Sequence, residues 1–471
     1  MSVLVQQSVR RTLFGMAFPM LAGTFAMNAY NLTDTWFVAK LGTLPLAAMG
    51  FTFPVVMLLS CVARGIGVGV TTLVSHAIGR HDDADAARLV THGMALTLVV
   101  TAVMSVGGYL TIGPLFRRLG ADAATLPLVG EYMRTWYVGA VSMSLPMLGN
   151  GILLSAGDSK AASRFMMLGA GLNLVLDPVM IFGYFGFPAM GIRGAALATV
   201  IAQGVSTAWL LLLLLRKHRL LVFRKWPFSD YLASFQRILG FGVPSILSLI
   251  LMPISAGVIT RILSEFGNEA VAASGAAGRI EMFAFVIPMA LGISLTPFIS
   301  QNYGARRMDR VREAKAASTR FALFYGGAVA VAFFLGARPL AGAFSDDPKV
   351  IATLVAYIRI ISFGYGMMEV HRYCTFFLTG LHRPVSASLL NALRVVGFLI
   401  PLSFLGAWLA GLRGVFFGRL VTDLAVGAIG LAWVERAFRA TAAGAADPPL
   451  RPEAGVATLG NAPPPDRAQE P

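Results

Sequence analysis

Four polar side chains interrupt apolar stretches in the first half of the chain: Asp34, Asn173, Asp177 and Thr199. Asn173 and Asp177 are four residues apart, so on a helix they share one face. A charged carboxylate at mid-membrane costs about 2.5–3.5 kcal/mol even on the gentler insertion scale, so two in one half need a reason. One reason is structural: an Asp can cap a broken helix or satisfy backbone freed by Pro19 or Pro178. The other is ion chemistry. Burial disfavours a charged carboxylate and a neighbouring carboxylate adds repulsion, so the pair is expected to take up and release protons near neutral pH, with Asn173 and Thr199 hydrogen-bonding one protonation state. The same four side chains could instead ligate Na+, and the residues alone do not separate these options.

The elements that must position them are membrane helices. Of 471 residues, 56% are apolar and 13% charged. Apolar runs long enough to cross a bilayer recur along the chain, giving about twelve spans. Arg10 and Arg11 precede the first run, but no small-residue cleavage site follows, so a retained helix is expected rather than a signal peptide. The net charge of +15 is concentrated in alternate loops, such as Arg216, Lys217, Arg219, Arg224 and Lys225, or Arg306, Arg307, Arg310, Arg312 and Lys315. By the positive-inside rule both termini and the loops near 80, 160, 225, 308 and 383 are cytoplasmic, which expects a multi-pass protein of the bacterial inner membrane. The basic excess is therefore a topology signal and not a nucleic-acid footprint. Cys61 and Cys374 fall inside spans as free buried thiols. The segment 441–471, rich in Ala, Pro and Gly, is expected to be disordered.

The chain repeats itself. Shifted by about 225 residues, Gly15, Pro19, Gly42, Gly67, Thr71, Ser75 and Gly79 fall on Gly240, Pro244, Gly267, Gly292, Thr296, Ser300 and Gly304. Each copy holds about six spans. An even number makes the copies parallel, related by a pseudo-twofold axis along the membrane normal. The expected architecture is an all-α polytopic membrane protein: an N-lobe (1–215), a cytoplasmic linker (216–237) and a C-lobe (238–440). The polar cluster is not repeated. Asp34, Asn173, Asp177 and Thr199 correspond to Ile259, Val396, Ile400 and Arg419. The stretches from Ser75 (SHAIGRHDDADAARLV) and Ser300 (SQNYGARRMDRVREAK) each suggest a Gly turn followed by a short interfacial helix.

These strings, with DTWFVAKLG from Asp34, LNLVLDPVMIFG from Leu172 and GIRGAALAT ending at Thr199, resemble the multidrug and toxic compound extrusion family, closest in pattern to its DinF-like branch. The resemblance covers roughly residues 8 to 440. It implies twelve helices in two six-helix lobes, no cofactor, and export of amphipathic, often cationic compounds in exchange for protons or Na+. It also favours ion coupling at Asp34, Asn173, Asp177 and Thr199, and Pro19 is the expected hinge of the first span. In the branch with sodium-coupling acids in the C-lobe, span seven carries a Glu and span ten an Asp. Here those positions fall near Met252 and Met368, with Glu369 adjacent, so protons are favoured.

Glu281 and Glu369 are candidates to face the substrate cavity and attract a cationic drug, although Glu369 could pair with Arg372 on the same face. The stretches Phe14 to Met27 and Met282 to Met289 could line an adaptable pocket. Arg394 and Arg419 lack an obvious local partner. A lipid-precursor flippase would want a basic wall, for which Arg261, Arg279, Arg372 and Arg419 are available. No HExxH, GxSxG or Walker sequence is present, which argues against an enzyme. The expected partners are small amphipathic solutes and membrane lipids, and the expected state is a monomer.

Overall fold

Each long apolar run becomes a helix, because a backbone in hydrocarbon must satisfy its own N–H and C=O groups. The computed structural model describes residues 3–442. Of the segment 441–471 expected to be disordered, residues 441 and 442 complete the last helix and the rest lies outside the described residues. After a short turn at Val3–Gln6 come α1 (Val9–Ala39), α2 (Thr43–Gly79), α3 (Asp83–Arg118), α4 (Thr125–Ser155), α5 (Ser159–Phe182) and α6 (Gly191–Lys217). The second half continues with α7 (Phe228–Ser264), α8 in two pieces (Asn268–Ala284 and Val286–Gly304), α9 (Met308–Gly342), and α10 in two pieces (Pro348–Ile361 and Tyr365–Gly380). The last helical stretch, Pro384–Ala442, is 59 residues long, about twice what a bilayer needs. Ala410 and Gly411 leave helical geometry inside it, Gly411 with φ 61°. It is therefore two spans, α11 (384–409) and α12 (412–442). Twelve spans result, six per half, and no strand occurs among the described residues.

The linker is shorter than the charge pattern suggests. Helix α7 starts at Phe228 behind Pro227, because residues 228–237 are already amphipathic and extend the span beyond the hydrocarbon. The separate interfacial helices expected after α2 and α8 do not form either. Helices α3 and α9 begin three or four residues after their predecessors end, and the charged stretches are their first turns. Asp82 caps α3 by accepting from the Asp85 amide at 2.9 Å. The turns themselves are made by His81 (φ 63°) and Arg306 (φ 57°), which are repeat mates.

Gly79 and Gly304, also repeat mates, serve a different purpose from a turn. A Cβ on Gly79 would lie 2.1 Å from the Gln301 carbonyl oxygen, and one on Gly304 would lie 2.4 Å from that of His76. Only glycine permits this backbone approach. Around it, Ser300 donates to the Thr72 carbonyl at 2.7 Å, Gln301 donates to the Ser155 carbonyl, and the His76 and His382 rings lie 4.2 Å apart, tilted by 49°. Farther out, Arg237 pairs with Asp85 at 3.2 Å. Arg310 donates to the carbonyls of Leu4 (3.1 Å) and Gln7 (2.6 Å). The seam pairs α2 with α7 and α8, and α1 with α8. These contacts gather at the end carrying the basic loops. At the opposite end, Phe53, Leu247, Met252 and Ile254 are exposed on the seam helices α2 and α7. The lobes are thus shut at the basic end.

Candidate functional site

The N-lobe holds its polar cluster between α1, α5 and α6. Helix α1 is unbroken through Pro19 and carries Asp34 one turn after Tyr30. Helix α5 turns Asn173 and Asp177 to one buried face, with Asp177 fully buried beside Pro178. Asn173 donates to the Thr199 hydroxyl at 3.2 Å, and Tyr30 meets the same hydroxyl at 3.4 Å. Asp34 and Asp177 are close enough to interact electrostatically. All four residues singled out from the sequence therefore meet in one place.

What they lack is a counter-ion. Among the described residues no Lys or Arg acts on Asp34 or Asp177. One carboxylate oxygen of Asp34, both of Asp177 and the Asn173 carbonyl are buried without a well-formed hydrogen bond among the described residues. A capping or backbone-repair role would show a backbone N–H aimed at Asp177, and among the described residues only the Asn173 side chain approaches it. Unpaired buried carboxylates are unfavourable when charged, and a bound proton or small cation would relieve that cost. Two residues escape a reading by sequence alone. Tyr30 is announced by its four-residue spacing from Asp34. Tyr132, from α4, lies in electrostatic range of Tyr30, Asp34 and Asp177, and nothing in its local sequence marks it.

The C-lobe also buries acids but pairs them. Glu281 accepts from Tyr357 at 2.8 Å, Tyr365 at 3.2 Å and Arg419 at 2.9 Å. Arg419 also bonds Tyr357 and stands 3.9 Å from Asp423. Asp423, fully buried, accepts from Arg394 at 2.8 Å. Glu369 faces Arg372 at 3.1 Å as the helical spacing anticipates, although neither of its oxygens has a well-aligned hydrogen bond. Arg394 finds its partner across helices in Asp423 of α12, and Arg419 finds Glu281 of α8 across helices and Asp423 four residues along its own helix. Glu281 and Glu369 are thus held by arginines and present no free negative charge.

Two lobes of six helices, related by a repeat and closed at one end, with buried acids left without a cation in one lobe and paired with arginines in the other, define a multi-pass secondary transporter. The MatE family model matches residues 19–179 and again 244–405, one match per lobe. The chain belongs to the MATE family of transporters, which are not enzymes. It is 36% identical to the "FAD transporter" of Shewanella oneidensis over 90% of this chain and 94% of that protein. It is 25% identical to the "Probable multidrug resistance protein YoeA" of Bacillus subtilis over 76% of this chain and 78% of that one. The crystal structure of the Vibrio cholerae MATE transporter VcmN in the bent form superimposes with a TM-score of 0.87 at 29% identity, covering 92% and 97% of the two chains. No resemblance singles out the DinF-like branch among these.

Proposed function

We propose that the protein is a proton-driven efflux antiporter of the inner membrane, exporting amphipathic small molecules by alternating access, with the basic loops and both termini in the cytoplasm and one chain sufficient as a monomer. The observation that carries this is the buried pair Asp34 and Asp177, unpaired with any cation and absent from the repeat positions of the other lobe. In the closed-inside arrangement the pair is loaded from the outer face. Protonation removes the repulsion between the carboxylates, Tyr30 and Thr199 re-pair around the neutral acids, and α1 bends at Pro19 to displace cargo. Inward proton release then resets the cycle. A membrane potential supplies about 2.3 kcal/mol per 100 mV per proton, enough for roughly a 50-fold gradient of a neutral solute.

Sodium coupling is the competing choice for the same oxygen donors. A flippase is less favoured, since Arg372 and Arg419, two of the four arginines of a basic C-lobe wall, are neutralised by Glu369 and Glu281. For cargo, the multidrug relative suggests drug-like compounds. The more similar Shewanella relative suggests a second reading, a flavin dinucleotide. Reconstituted vesicles given a pH gradient and, separately, a Na+ gradient test the coupling. Movement of solute with protons only is expected, and movement with Na+ only would replace this reading.

A further inference from the structure

Helix α2 carries one charge in its interior, Arg64. It lies fifteen residues before the helix end at Gly79, about 22 Å along the axis at 1.5 Å per residue. Arg64 is exposed while Ala63, Gly65, Ile66 and Gly67 around it are buried. It has no salt bridge or side-chain hydrogen bond among the described residues, and the group it acts on is the Cys61 thiol. None of the buried carboxylates is its partner: Asp34 and Asp177 interact with each other, and Glu369 with Arg372 and Asp423.

Its direction follows from its neighbours. Gly65 and Gly69 press on Ile246, Gly242 and Ile238 of α7. Gly67 and Thr71 press on Leu148 and Gly151 of α4, and Thr72 meets Ser300 of α8. At 100° per residue Arg64 falls between the α4 and α8 sides, facing the space between the lobes. On that same face Phe53 is exposed and Met57 and Ser60 are half-exposed, whereas Thr71 and Ser75 beyond it are buried. Arg64 therefore stands where the open stripe ends, on the floor of the cleft. From the other lobe, Arg279 in the outer piece of α8 is likewise exposed, off the face that Ala273, Ala276, Ala277 and Ile280 bury in the C-lobe core. The arginines deeper in the C-lobe are all matched to carboxylates, and Arg64 is not.

We propose that Arg64 is the anion-binding group of the cargo cleft, so that the transported molecule is an amphipathic organic anion, a phosphate- or carboxylate-bearing aromatic compound. This rests on the efflux reading above and sharpens its substrate class. The guanidinium offers a fork of donors to phosphate or carboxylate oxygens. Phe53 and Met57, with exposed Met289, which is the repeat mate of Arg64, supply an adaptable apolar wall for rings.

The test titrates flavin adenine dinucleotide (an aromatic anion) and ethidium (an aromatic cation) into the full-length protein in neutral detergent. Wild type is expected to bind the dinucleotide more tightly than ethidium, with affinity that falls as salt rises. Arg64→Gln should weaken dinucleotide binding about tenfold and leave or improve ethidium binding, while Arg64→Lys retains most of the dinucleotide affinity. Unchanged dinucleotide affinity in a folded Arg64→Gln protein, or a wild-type preference for ethidium, overturns the proposal. If Arg64→Gln does not fold, the Lys variant and the salt titration decide, and salt-independent dinucleotide binding overturns it. Binding needs no coupling ion. Dinucleotide binding without movement under a pH gradient would therefore sink the efflux reading and keep this one, and ethidium efflux without dinucleotide binding would do the reverse.

Discussion

The two lobes bury similar numbers of acids and treat them in opposite ways. In the N-lobe, Asp34 and Asp177 face each other among Tyr30, Asn173 and Thr199 with no cation. In the C-lobe, Glu281 and Asp423 are locked to Arg419 and Arg394, with Tyr357 and Tyr365 filling the remaining acceptor sites. The repeat makes the difference legible at one position: Thr199 in one copy is Arg419 in the other. A guanidinium gives neighbouring acids a charge partner, whereas a hydroxyl does not. One lobe pairs its acids with arginines and the other leaves them without a cation among the described residues.

This contrast can be broken most decisively at Asp34. Asp34→Asn should abolish solute movement driven by a pH gradient, a loss of at least about a hundredfold, without loss of thermal stability, because no paired charge is removed. Transport by vesicles and thermal unfolding in detergent check both halves of that statement. In the C-lobe the signs reverse. Arg419→Ala leaves Glu281 without its cation, while Asp423 keeps Arg394, and should destabilise the protein by about 3–5 kcal/mol, seen as a large fall in melting temperature. Adding Glu281→Gln to that variant should restore part of the loss.

The seam gives a third test. Gly304→Ala places a Cβ against the His76 carbonyl and should hold the basic end open, lowering turnover about tenfold. Accessibility of a cysteine placed at Ser300 to a membrane-impermeant thiol reagent should rise in parallel. Pro19→Ala, which stiffens α1, should slow turnover several-fold with little change in cargo affinity. The smallest effect is expected from Thr199→Val, which removes the hydroxyl between Asn173 and Tyr30. A cost of about 1 kcal/mol is expected, read as a few-fold shift in the proton dependence of transport.

Much of this was readable in the chain. Apolar runs determine helices in a bilayer, so the twelve spans and their division into six and six follow from the sequence, as does the meeting of Asn173 and Asp177 on one face. Boundaries were less legible, because α7 and α3 extend past the hydrocarbon on amphipathic turns that carry no apolar signal. The C-lobe ion pairs were hidden for a different reason. Glu281 and Arg419 are 138 residues apart, and only packing of α8 against α12 brings them together. Local spacing recovers pairs within one helix, such as Glu369 with Arg372 or Arg419 with Asp423, and not those between helices. Arg64 was visible as a lone charge in an apolar span, but its direction required the glycine contacts on either side of it.

The central claim is that the N-lobe acids, and not those of the C-lobe, exchange protons. Infrared difference spectroscopy of the reconstituted protein across a pH jump reads this directly, through the carbonyl band of a protonated carboxylic acid. The account predicts a band that titrates in wild type, disappears in the Asp34→Asn, Asp177→Asn double variant, and persists in Glu281→Gln and in Glu369→Gln. A band that survives the double variant and is lost with Glu281 or Glu369 would contradict it.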